Sequence, residues 1–273
     1  MVRTAVHIRS AVRRIGRAVR VPSNVHVDHS VPHRLPLPDD QPAVASMLDA
    51  DERRIISEVR TLTMVSPERL IAIIDAVKYI VARGIPGGLA ECGVWRGGSV
   101  LTMIKTLQLL GVDDRSVYLF DTFEGMTEPG EEDTSPIEPP ALDTWRETPS
   151  GQTPWPWAFD PTHYGIDQVR SVLEDSGYPR ERLHLVPGPV EDTLPESAPH
   201  ELALLRLDTD WYKSTKHELV HLYPRLSAGG VLIVDDVGHW EGARQAVEEY
   251  FAESASPILL NRTDYTGRLG VKY

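Results

Sequence analysis

Acidic side chains follow the apolar stretches of this sequence at the points where predicted strands end. They are Glu91, Asp121, Asp208, Asp235 and Asp236. In open α/β sheets the carboxyl ends of the parallel strands form one edge, and ligands bind at that edge. The alternative is that some of these acids only cap the helices that follow. Because five acids converge on one predicted edge, the sequence favours a functional site there.

Two of these positions belong to acidic motifs, Asp208-Thr209-Asp210 and Asp235-Asp236. Carboxylates that lie close together repel one another unless a cation joins them. Oxygen ligands of this kind select a hard divalent ion such as Mg²⁺. The motifs therefore predict a magnesium site. The alternative assigns Asp210 and Asp236 as caps of the helices expected near Ser214 and Glu241.

A glycine-rich turn, Gly93 to Ser99, follows Glu91 between a predicted strand and a predicted helix. Glycine permits positive φ and close approach of a ligand, and the amides that begin the helix are expected to face an anionic group. The turn does not match the dinucleotide fingerprint, since Trp95 stands where that pattern needs glycine. An acid directly before the glycines instead suits a cofactor that carries an ammonium group.

Two further loops complete a nucleoside-binding pattern. Asp121, about thirty residues after Glu91, is placed to accept both hydroxyls of a ribose. The loop from Gly188 to Asp192 follows the third predicted strand and is placed to close over an adenine. Together these positions describe an adenosine site that does not require a pyrophosphate.

The elements that position these residues alternate between strand and helix. Helices are predicted after the Ser66-Pro67 start, after the glycine turn, over about 166–178, near Ser214 and over Glu241–Ala252. Strands are predicted at 89–92, 117–120, 183–186, 202–207, 231–234, 257–260 and 269–273. Strands that alternate with helices form parallel βαβ units, so we expect an α/β fold with helices on both faces of the sheet.

The first 42 residues form a different kind of sequence. Residues 1–35 carry seven arginines and one acid, a net charge of +6, and prolines dominate residues 21–42. We interpret residues 1–42 as a basic, proline-containing arm and residues 43–273 as a single domain. His26, His29 and His33 have a spacing that suits a metal on a helix, but the prolines disfavour that helix.

The segment after Asp121 is rich in proline and tryptophan. A loop of this length inside a compact domain is typical of a functional lid, and the tryptophans need a surface on which to pack. We therefore predict a lid insertion at about 122–165 that carries Trp155, Trp157 and Tyr164.

Composition excludes several classes of protein. The 273 residues have a formal net charge of −12, which argues against general nucleic-acid binding. No apolar run is long enough to predict a membrane-spanning helix. The single cysteine excludes an intrachain disulfide and a multi-cysteine zinc site, and it fits a cytoplasmic location.

Several motifs together identify a family. LAECGVWRGGSV, FDTFEGM, VEDTLP, LLRLDTDWYKSTKHELVHLYPRL, GGVLIVDDVGHWEGARQAVEEYF and PILLNRTDYTGRLGVKY resemble the macrocin O-methyltransferase family over about residues 66–273. The resemblance implies a Rossmann-like class I methyltransferase fold, with a seven-stranded, mostly parallel sheet and a terminal antiparallel strand. It also implies S-adenosylmethionine and Mg²⁺ as cofactors, a sugar hydroxyl of a natural product as acceptor, and a homodimer or larger homo-oligomer. Because a second, adjacent hydroxyl could complete the coordination of the metal, a vicinal diol is the other expected acceptor.

The resemblance also implies roles for individual residues. The metal ligands would be Asp208, Asp235 and Asp236, with Asp210 as general base and His239 as the alternative base. The residues implied to bind the cofactor are Glu91, Gly93, Trp95, Gly98, Ser99, Asp121, Thr122, Phe123, Gly188, Glu191, Asp192 and Asp208. Lys213 stands where related sequences often have glutamate.

Two other functions remain open at this point. The Asp208-Thr209-Asp210 motif also fits the D-x-D pattern of a metal-dependent glycosyltransferase that uses a nucleotide sugar. That class does not explain the glycine turn after Glu91 or the acid pair on a second strand. A non-catalytic binding protein on the same fold is the other alternative, and the complete set of acids argues against it.

Overall fold

The computed structural model describes residues 48–156, 158–159, 164–254 and 257–273. Its helices are α1 (Ala50–Val59), α2 (Pro67–Ala82), α3 (Gly98–Leu109), α4 (Ala141–Glu147), α5 (Ile166–Glu174), α6 (Val190–Thr193), α7 (Tyr212–His221) and α8 (Glu241–Glu253). Its strands are β1 (Gly88–Cys92), β2 (Val117–Asp121), β3 (Leu183–Pro187), β4 (Leu202–Leu207), β5 (Leu226–Val234), β6 (Asn261–Arg262) and β7 (Arg268–Val271).

The seven strands form one sheet in the order β3-β2-β1-β4-β5-β7-β6. The pairs from β3 to β5 are parallel, whereas β7 is antiparallel to both β5 and β6. The strand order reverses direction between β1 and β4, and such a switch point opens a crevice at the carboxyl ends of the strands. The predicted α/β class, with its terminal antiparallel strand, is confirmed.

Alternate side chains of each strand enter two different cores. Leu89 and Leu204 pack with α1, α2, α3 and α5 on one face of the sheet. Ala90 and Leu205 pack with α7 and α8 on the other face. The central strands are therefore buried on both faces, which explains why their sequences are continuously apolar rather than alternating.

Local signals in the sequence set the start of the first two long helices. Ser66 caps α2 by accepting a hydrogen bond from the Arg69 amide at 3.2 Å, and Pro67 occupies the first turn. Asp49 and Glu52 form a reciprocal capping box at the start of α1. These caps satisfy amides that have no partner within the helix. The start of α2 was predicted correctly, whereas α1 was not predicted.

Two predicted strand boundaries were wrong, both in the last third of the chain. Residues 257–260 form no ladder, because Ile258 and Leu260 are apolar for packing against the second core rather than for pairing. Strand β5 begins at Leu226, five residues before the prediction. Gly229, at φ +82°, lies within the strand where the register with β4 shifts. This glycine therefore marks an irregularity within the strand and not a turn before it.

Within its described residues, the predicted lid segment contains one short helix, α4, among irregular backbone. The helix predicted at 166–178 is present as α5, with Val169 and Leu173 buried as expected. Trp157, the arm at 1–42 and its three histidines lie outside the described residues. Within the part of the chain that is described, no helix is long and apolar enough to cross a membrane.

Candidate active site

A cavity of about 500 Å³ lies at the carboxyl ends of β1, β2, β4 and β5, at the switch point of the sheet. It gathers most of the residues that the sequence singled out. Those that line it are Glu91, Gly93, Trp95, Gly98, Ser99, Asp121, Thr122, Gly188, Glu191, Asp208, Asp210, Asp235, Asp236 and His239. Phe123 and Asp192 are the two predicted residues that do not line it.

The glycine turn holds the ends of two strands together. The Gly93 amide donates to the Phe120 carbonyl at 2.9 Å, and the Asp208 amide donates to the Cys92 carbonyl at 2.8 Å. Gly93 has φ +79°, and a Cβ atom there would lie 1.9 Å from the Asp208 carbonyl oxygen. Only glycine permits this approach. The turn therefore brings the end of β1 directly against the first acid of the 208–210 motif.

The start of α3 is less available to a ligand than the sequence suggested. The Gly98 amide donates to the Leu62 carbonyl at 2.9 Å, so this first helical amide is already bonded within the protein. Leu62 belongs to the segment between α1 and α2, which contributes Leu62 to Val65 to the cavity wall. This contribution could not be predicted from the sequence, because the segment is distant in the chain and carries no motif.

Asp121 occupies the predicted position at the end of β2, and protein groups engage both of its oxygens. Oδ2 accepts hydrogen bonds from the amides of Val94 and Trp95 at 2.6 and 3.0 Å. Oδ1 accepts from the Phe123 amide at 2.7 Å and the Tyr164 hydroxyl at 2.9 Å. A ribose bound here would share these oxygens with the glycine turn and with Tyr164.

The two predicted cofactor residues outside the cavity have different surroundings. Phe123 is buried among the apolar side chains of the first core and reaches Asp121 through its amide alone. Asp192 is exposed, whereas its neighbour Glu191 turns inward and has a buried Oε2 without a hydrogen-bond partner. Lys213 is largely exposed, and its Nζ lies 3.7 Å from Glu191 Oε1.

Three carboxylates converge at the wall formed by β4 and β5. One oxygen from each of Asp208, Asp235 and Asp236 lies within 4.8 Å of the other two. Asp236 Oδ2 is buried and has no hydrogen-bond partner. Three carboxylate oxygens at this separation suit a hard divalent cation, so the residues present fit Mg²⁺.

The alternative assignment of these acids as helix caps fails. The N-cap residues of α7 and α8 are Trp211 and Trp240, and neither helix has a side-chain cap hydrogen bond. Asp210 and Asp236 therefore do not cap the helices that follow them. Their side chains line the cavity instead.

A buried arginine connects the metal-site acids to the acid of the glycine turn. Arg206, the last but one residue of β4, is fully buried. Its Nη1 bonds Glu91 Oε1 and lies 2.7 Å from Asp208 Oδ2, and its Nη2 lies 2.9 Å from Asp235 Oδ1. A buried charge is stable only when opposite charges compensate it, and here one guanidinium compensates three carboxylates.

A second arginine approaches Asp235 from helix α2. Arg69 Nη1 bonds Asp235 Oδ2, and its Nε lies 3.0 Å from Asp264 Oδ2. Asp235 is thus held by two guanidinium groups, and Asp236 is the least engaged member of the predicted metal set. A divalent ion would share Asp235 with these arginines.

Burial and mutual repulsion raise the pKa values of four carboxyl groups in this region. Burial raises the pKa of Glu91 to about 8, although Arg206 acts in the opposite direction. Burial likewise raises the pKa of Asp208 to about 7. For Asp210 and Asp236, burial and neighbouring carboxylates raise the pKa well above the usual range. Each of these groups would bind protons until a cation compensates it.

The two candidate bases have different surroundings. Asp210 has φ +66°, between the end of β4 and the start of α7, and faces the cavity. His239 lies between two partners: its Nδ1 is 3.1 Å from the Tyr265 hydroxyl and its Nε2 is 3.2 Å from Glu138 Oε1. Both ring nitrogens of His239 are therefore engaged, and Asp210 is the better placed to accept a proton from a ligand.

An aromatic wall stands beside Asp210. The ring centroids of Trp155 and Trp211 are 5.7 Å apart, and those of Trp211 and Trp240 are 5.2 Å apart. Tyr265 lines the same cavity and is 61% exposed. Aromatic faces of this kind provide an apolar surface against which a ligand can stack.

Arg206 and Arg69 were missed by reasoning from sequence, and only Arg206 carried a signal. It interrupts the buried run LALLRL, where a charge requires partners of opposite sign. Arg69 sits in an ordinary first helical turn, so nothing in the sequence distinguishes it from a surface arginine.

Comparisons with known proteins agree with this geometry. The family model described as Macrocin-O-methyltransferase (TylF) matches residues 38–269. The 8-demethyl-8-(2,3-dimethoxy-alpha-L-rhamnosyl)-tetracenomycin-C 4'-O-methyltransferase of Streptomyces olivaceus is 35% identical over 226 residues, covering 80% of this chain and 79% of that protein. Mycinamicin III 3''-O-methyltransferase of Micromonospora griseorubida is 33% identical over 189 residues, 69% of each chain. Among solved structures, the O-methyltransferase NovP is 30% identical, with a TM-score of 0.62 and coverage of 77% of this chain and 82% of that chain.

Proposed function

This chain belongs to the macrocin-O-methyltransferase (TylF) family and is an S-adenosylmethionine-dependent O-methyltransferase. We propose that its acceptor is a sugar hydroxyl of a glycosylated natural product. We also propose that Mg²⁺ assists the reaction. Two of the relatives are named as O-methyltransferases of a rhamnosyl-tetracenomycin and of mycinamicin III. The observation that carries the magnesium proposal is the convergence of Asp208, Asp235 and Asp236 beside the glycine turn. Family membership also argues against the glycosyltransferase alternative.

In this proposal the cofactor lies along the carboxyl ends of β1 to β3. Glu91, whose buried Oε2 has no hydrogen-bond partner, would face the ammonium of the methionine part. Asp121 would hold the ribose, and Glu191 would flank the adenine. Trp95 borders this region, with its Nε1 donating to the Ala158 carbonyl at 2.8 Å, so the glycine turn and the lid segment would enclose the cofactor from two sides.

The chemistry requires a hydroxyl to lose its proton as it attacks a methyl group. S-adenosylmethionine supplies that methyl on a positively charged sulfur, and Mg²⁺ held by Asp208, Asp235 and Asp236 would make the acceptor hydroxyl more acidic. Asp210 would accept the proton, because its carboxylate faces the cavity beside the metal set. The aromatic wall of Trp155, Trp211 and Trp240 would orient the sugar ring and exclude water.

The charge of the cavity favours a neutral acceptor. Of the residues that the structure describes, eight with carboxylate side chains line it: Glu91, Asp121, Glu138, Glu191, Asp208, Asp210, Asp235 and Asp236. Among the described residues the lining includes a single arginine, Arg69, which is already paired with Asp235 and Asp264. A sugar diphosphate would therefore meet mainly negative charge. The exposed side chains of Met64 and Tyr265 instead offer apolar contact to an aglycone.

The first experiment measures cofactor and metal binding by calorimetry, with S-adenosylmethionine titrated in the presence of Mg²⁺ and in the presence of chelator. Turnover is then compared for glycosides with an aromatic or macrolide aglycone and for nucleoside-diphosphate sugars. We expect micromolar cofactor binding and Mg²⁺-dependent methylation of the glycosides. Equal turnover in chelator would contradict the magnesium proposal, and a preference for nucleotide sugars would contradict the acceptor proposal.

Asp236→Asn is the sharper test of the metal site, because Asp236 is the ligand least engaged by protein groups. The variant should bind Mg²⁺ weakly and lose most turnover while keeping its cofactor affinity. Asp192→Asn is the matched control, since Asp192 is exposed and lies outside the cavity. An Asp236→Asn enzyme with normal Mg²⁺ dependence would remove this residue from the proposed ligand set.

A further inference from the structure

A buried aspartate in the lid segment is bonded to backbone amides at both of its oxygens. Asp133 is 1% exposed. Its Oδ1 accepts from the Tyr212 amide at 2.8 Å, and its Oδ2 accepts from the Gly130 amide at 2.7 Å. Since desolvating a carboxylate opposes burial, these bonds must compensate it. Neither the sequence motifs nor the proposed chemistry assigns Asp133 a role.

The same carboxylate touches the start of a second helix. Gly242 is the second residue of α8, and a Cβ atom there would lie 1.9 Å from Asp133 Oδ1. Glycine is therefore required at this position by the presence of Asp133. The neighbouring Glu241 amide donates to the Thr134 carbonyl at 2.8 Å. Asp133 and Thr134 thus fasten the lid segment to the first turns of both α7 and α8.

These two helices begin directly after the acids of the proposed reaction centre. Helix α7 starts two residues after Asp210, and α8 starts five residues after Asp236. The fastened segment also supplies Thr127 and Glu138 to the cavity wall. A third contact, from Trp211 Nε1 to the Thr127 carbonyl at 3.0 Å, joins the segment to the residue after Asp210. One small region therefore links the acceptor side of the cavity to both acid motifs.

We propose that Asp133 is a positioning residue that fixes Asp210 and Asp236 relative to the acceptor by fastening the lid segment to the starts of α7 and α8. The proposal rests on the proposed function, in which Asp210 accepts the proton. A displacement of about 1 Å at such a centre can reduce the rate by about a hundredfold. Asp133 does not line the cavity, so its substitution should leave cofactor binding unchanged.

A double-mutant cycle between Asp133 and Gly242 tests this directly. Asp133→Ala removes the hydrogen bond from the Tyr212 amide to Asp133 Oδ1. Gly242→Ala places a methyl group where the same carboxylate oxygen lies and so displaces it. Each variant should lower kcat by about ten- to a hundredfold, because small displacements of reacting groups are costly. The double variant should be no worse than either single one, because Asp133→Ala leaves room for the new methyl group.

Three further measurements separate positioning from stability. Asp133→Asn can still accept the bond from Tyr212 and should recover part of kcat. Calorimetry should show that the affinity for S-adenosylmethionine stays within about twofold of the wild type in every variant. A change of about twofold is the scatter found between sites that do not interact with each other. Asp143→Ala, an exposed acid in the same segment, is the control and should leave kcat unchanged.

Hydrogen exchange gives a readout that does not need turnover. Asp133→Ala should increase exchange in peptides that cover the starts of α7 and α8 and leave α3 unchanged. Two results would overturn the proposal. One is that the losses of kcat in the two single variants multiply in the double variant, and the other is a lower melting temperature with a normal kcat. If the wild type bound no cofactor and methylated no acceptor, the proposed function would fail, while exchange would still decide whether Asp133 fastens the two helices.

Discussion

At the scale of single residues, Asp210 and His239 are the two candidates for the proton acceptor. The surroundings of His239 engage both of its nitrogens, whereas Asp210 faces the cavity beside the metal set. Burial and nearby carboxylates raise the pKa of Asp210, and the positive charge of a bound cation would leave this carboxylate ionised and able to accept a proton. A basic carboxylate next to the acceptor is the arrangement that general base catalysis requires.

We expect Asp210→Asn to lower kcat by about two to three orders of magnitude, because general base catalysis contributes about this much. Cofactor affinity should remain within a few-fold of the wild type. His239→Gln is the comparison variant. Its kcat should fall by less than about tenfold, because in this assignment His239 contributes less to proton transfer than the general base does. Single-turnover kinetics with a methylated glycoside as product measure both. A larger loss of kcat in His239→Gln than in Asp210→Asn would mean that His239, and not Asp210, is the general base.

Arg206 is the residue whose removal should cost most stability. Arg206→Met leaves Glu91, Asp208 and Asp235 without their shared counter-ion, and breaking a buried ion pair costs about 3–5 kcal/mol. Urea unfolding measures this loss. Arg206→Lys keeps the charge and should recover part of it. An unchanged free energy of unfolding in Arg206→Met would contradict the role of Arg206 as the counter-ion of these three side chains.

At the scale of elements, the glycine turn joins β1 to β4 and so determines the shape of the crevice. The positive φ of Gly93 and its contact with the Asp208 carbonyl are two separate demands for glycine. Gly111, at the end of α3, has φ +70° but no atom within 4 Å of an added Cβ. A comparison of alanine substitutions at Gly93 and Gly111 therefore separates the cost of backbone strain from the cost of steric overlap.

Gly111→Ala should cost about 1–2 kcal/mol, the strain of a left-handed residue with a side chain. Gly93→Ala should cost about 1–3 kcal/mol more, because overpacking adds to that strain. It should also weaken S-adenosylmethionine binding, since the strand ends that line the site must separate. Denaturation and calorimetry test the two effects. Equal behaviour of the two variants would mean that the turn adjusts without moving the strands.

At the scale of the whole molecule, negative charge is concentrated where the cations of the reaction would bind. The chain has a net charge of −12, and eight of its carboxylate side chains line one cavity. Arg69 and Arg206 compensate part of this charge. The remainder would attract a divalent ion and a sulfonium cofactor together. Binding of either ligand should therefore depend on pH and on ionic strength.

Mg²⁺ affinity should rise with pH through the neutral range. The pKa of Asp208 is raised to about 7, so below pH 7 a proton occupies the site and must leave when the metal binds. Asp236, whose pKa is also raised, would release a further proton, so the affinity should increase by at least about tenfold per pH unit below 7 and should continue to rise above it. Calorimetry in two buffers of different ionisation enthalpy counts the released protons. In Asp208→Asn the slope should be smaller, and an affinity independent of pH in the wild type would contradict this assignment.

The oligomeric state and the role of the basic arm stay predictions. The arm at 1–42 carries a positive charge, whereas the rest of the chain is strongly acidic. Contact between the arm of one subunit and the body of another is compatible with this charge pattern. Sedimentation of the full chain and of a variant lacking residues 1–42 would test it.

The sequence by itself determined the α/β class, the order of the strands along the chain and the acids at their ends. These follow from local causes: apolar runs of strand length, helical periodicity, caps such as Ser66, and polar residues directly after strands. The family motifs added the reaction class. Each of these signals lies within a few residues of the chain, so no knowledge of distant contacts is needed to read it.

Only the tertiary structure decided which residues share the site and how their charges are compensated. It paired Arg69 with both Asp235 and Asp264, which is 195 positions away along the chain, and it excluded Phe123 and Asp192 from the cavity. It also brought Asp133 of the lid segment to the starts of two helices. These outcomes depend on which strands become neighbours and on how side chains pack between them. Such contacts arise from the chain as a whole, and no local pattern encodes them.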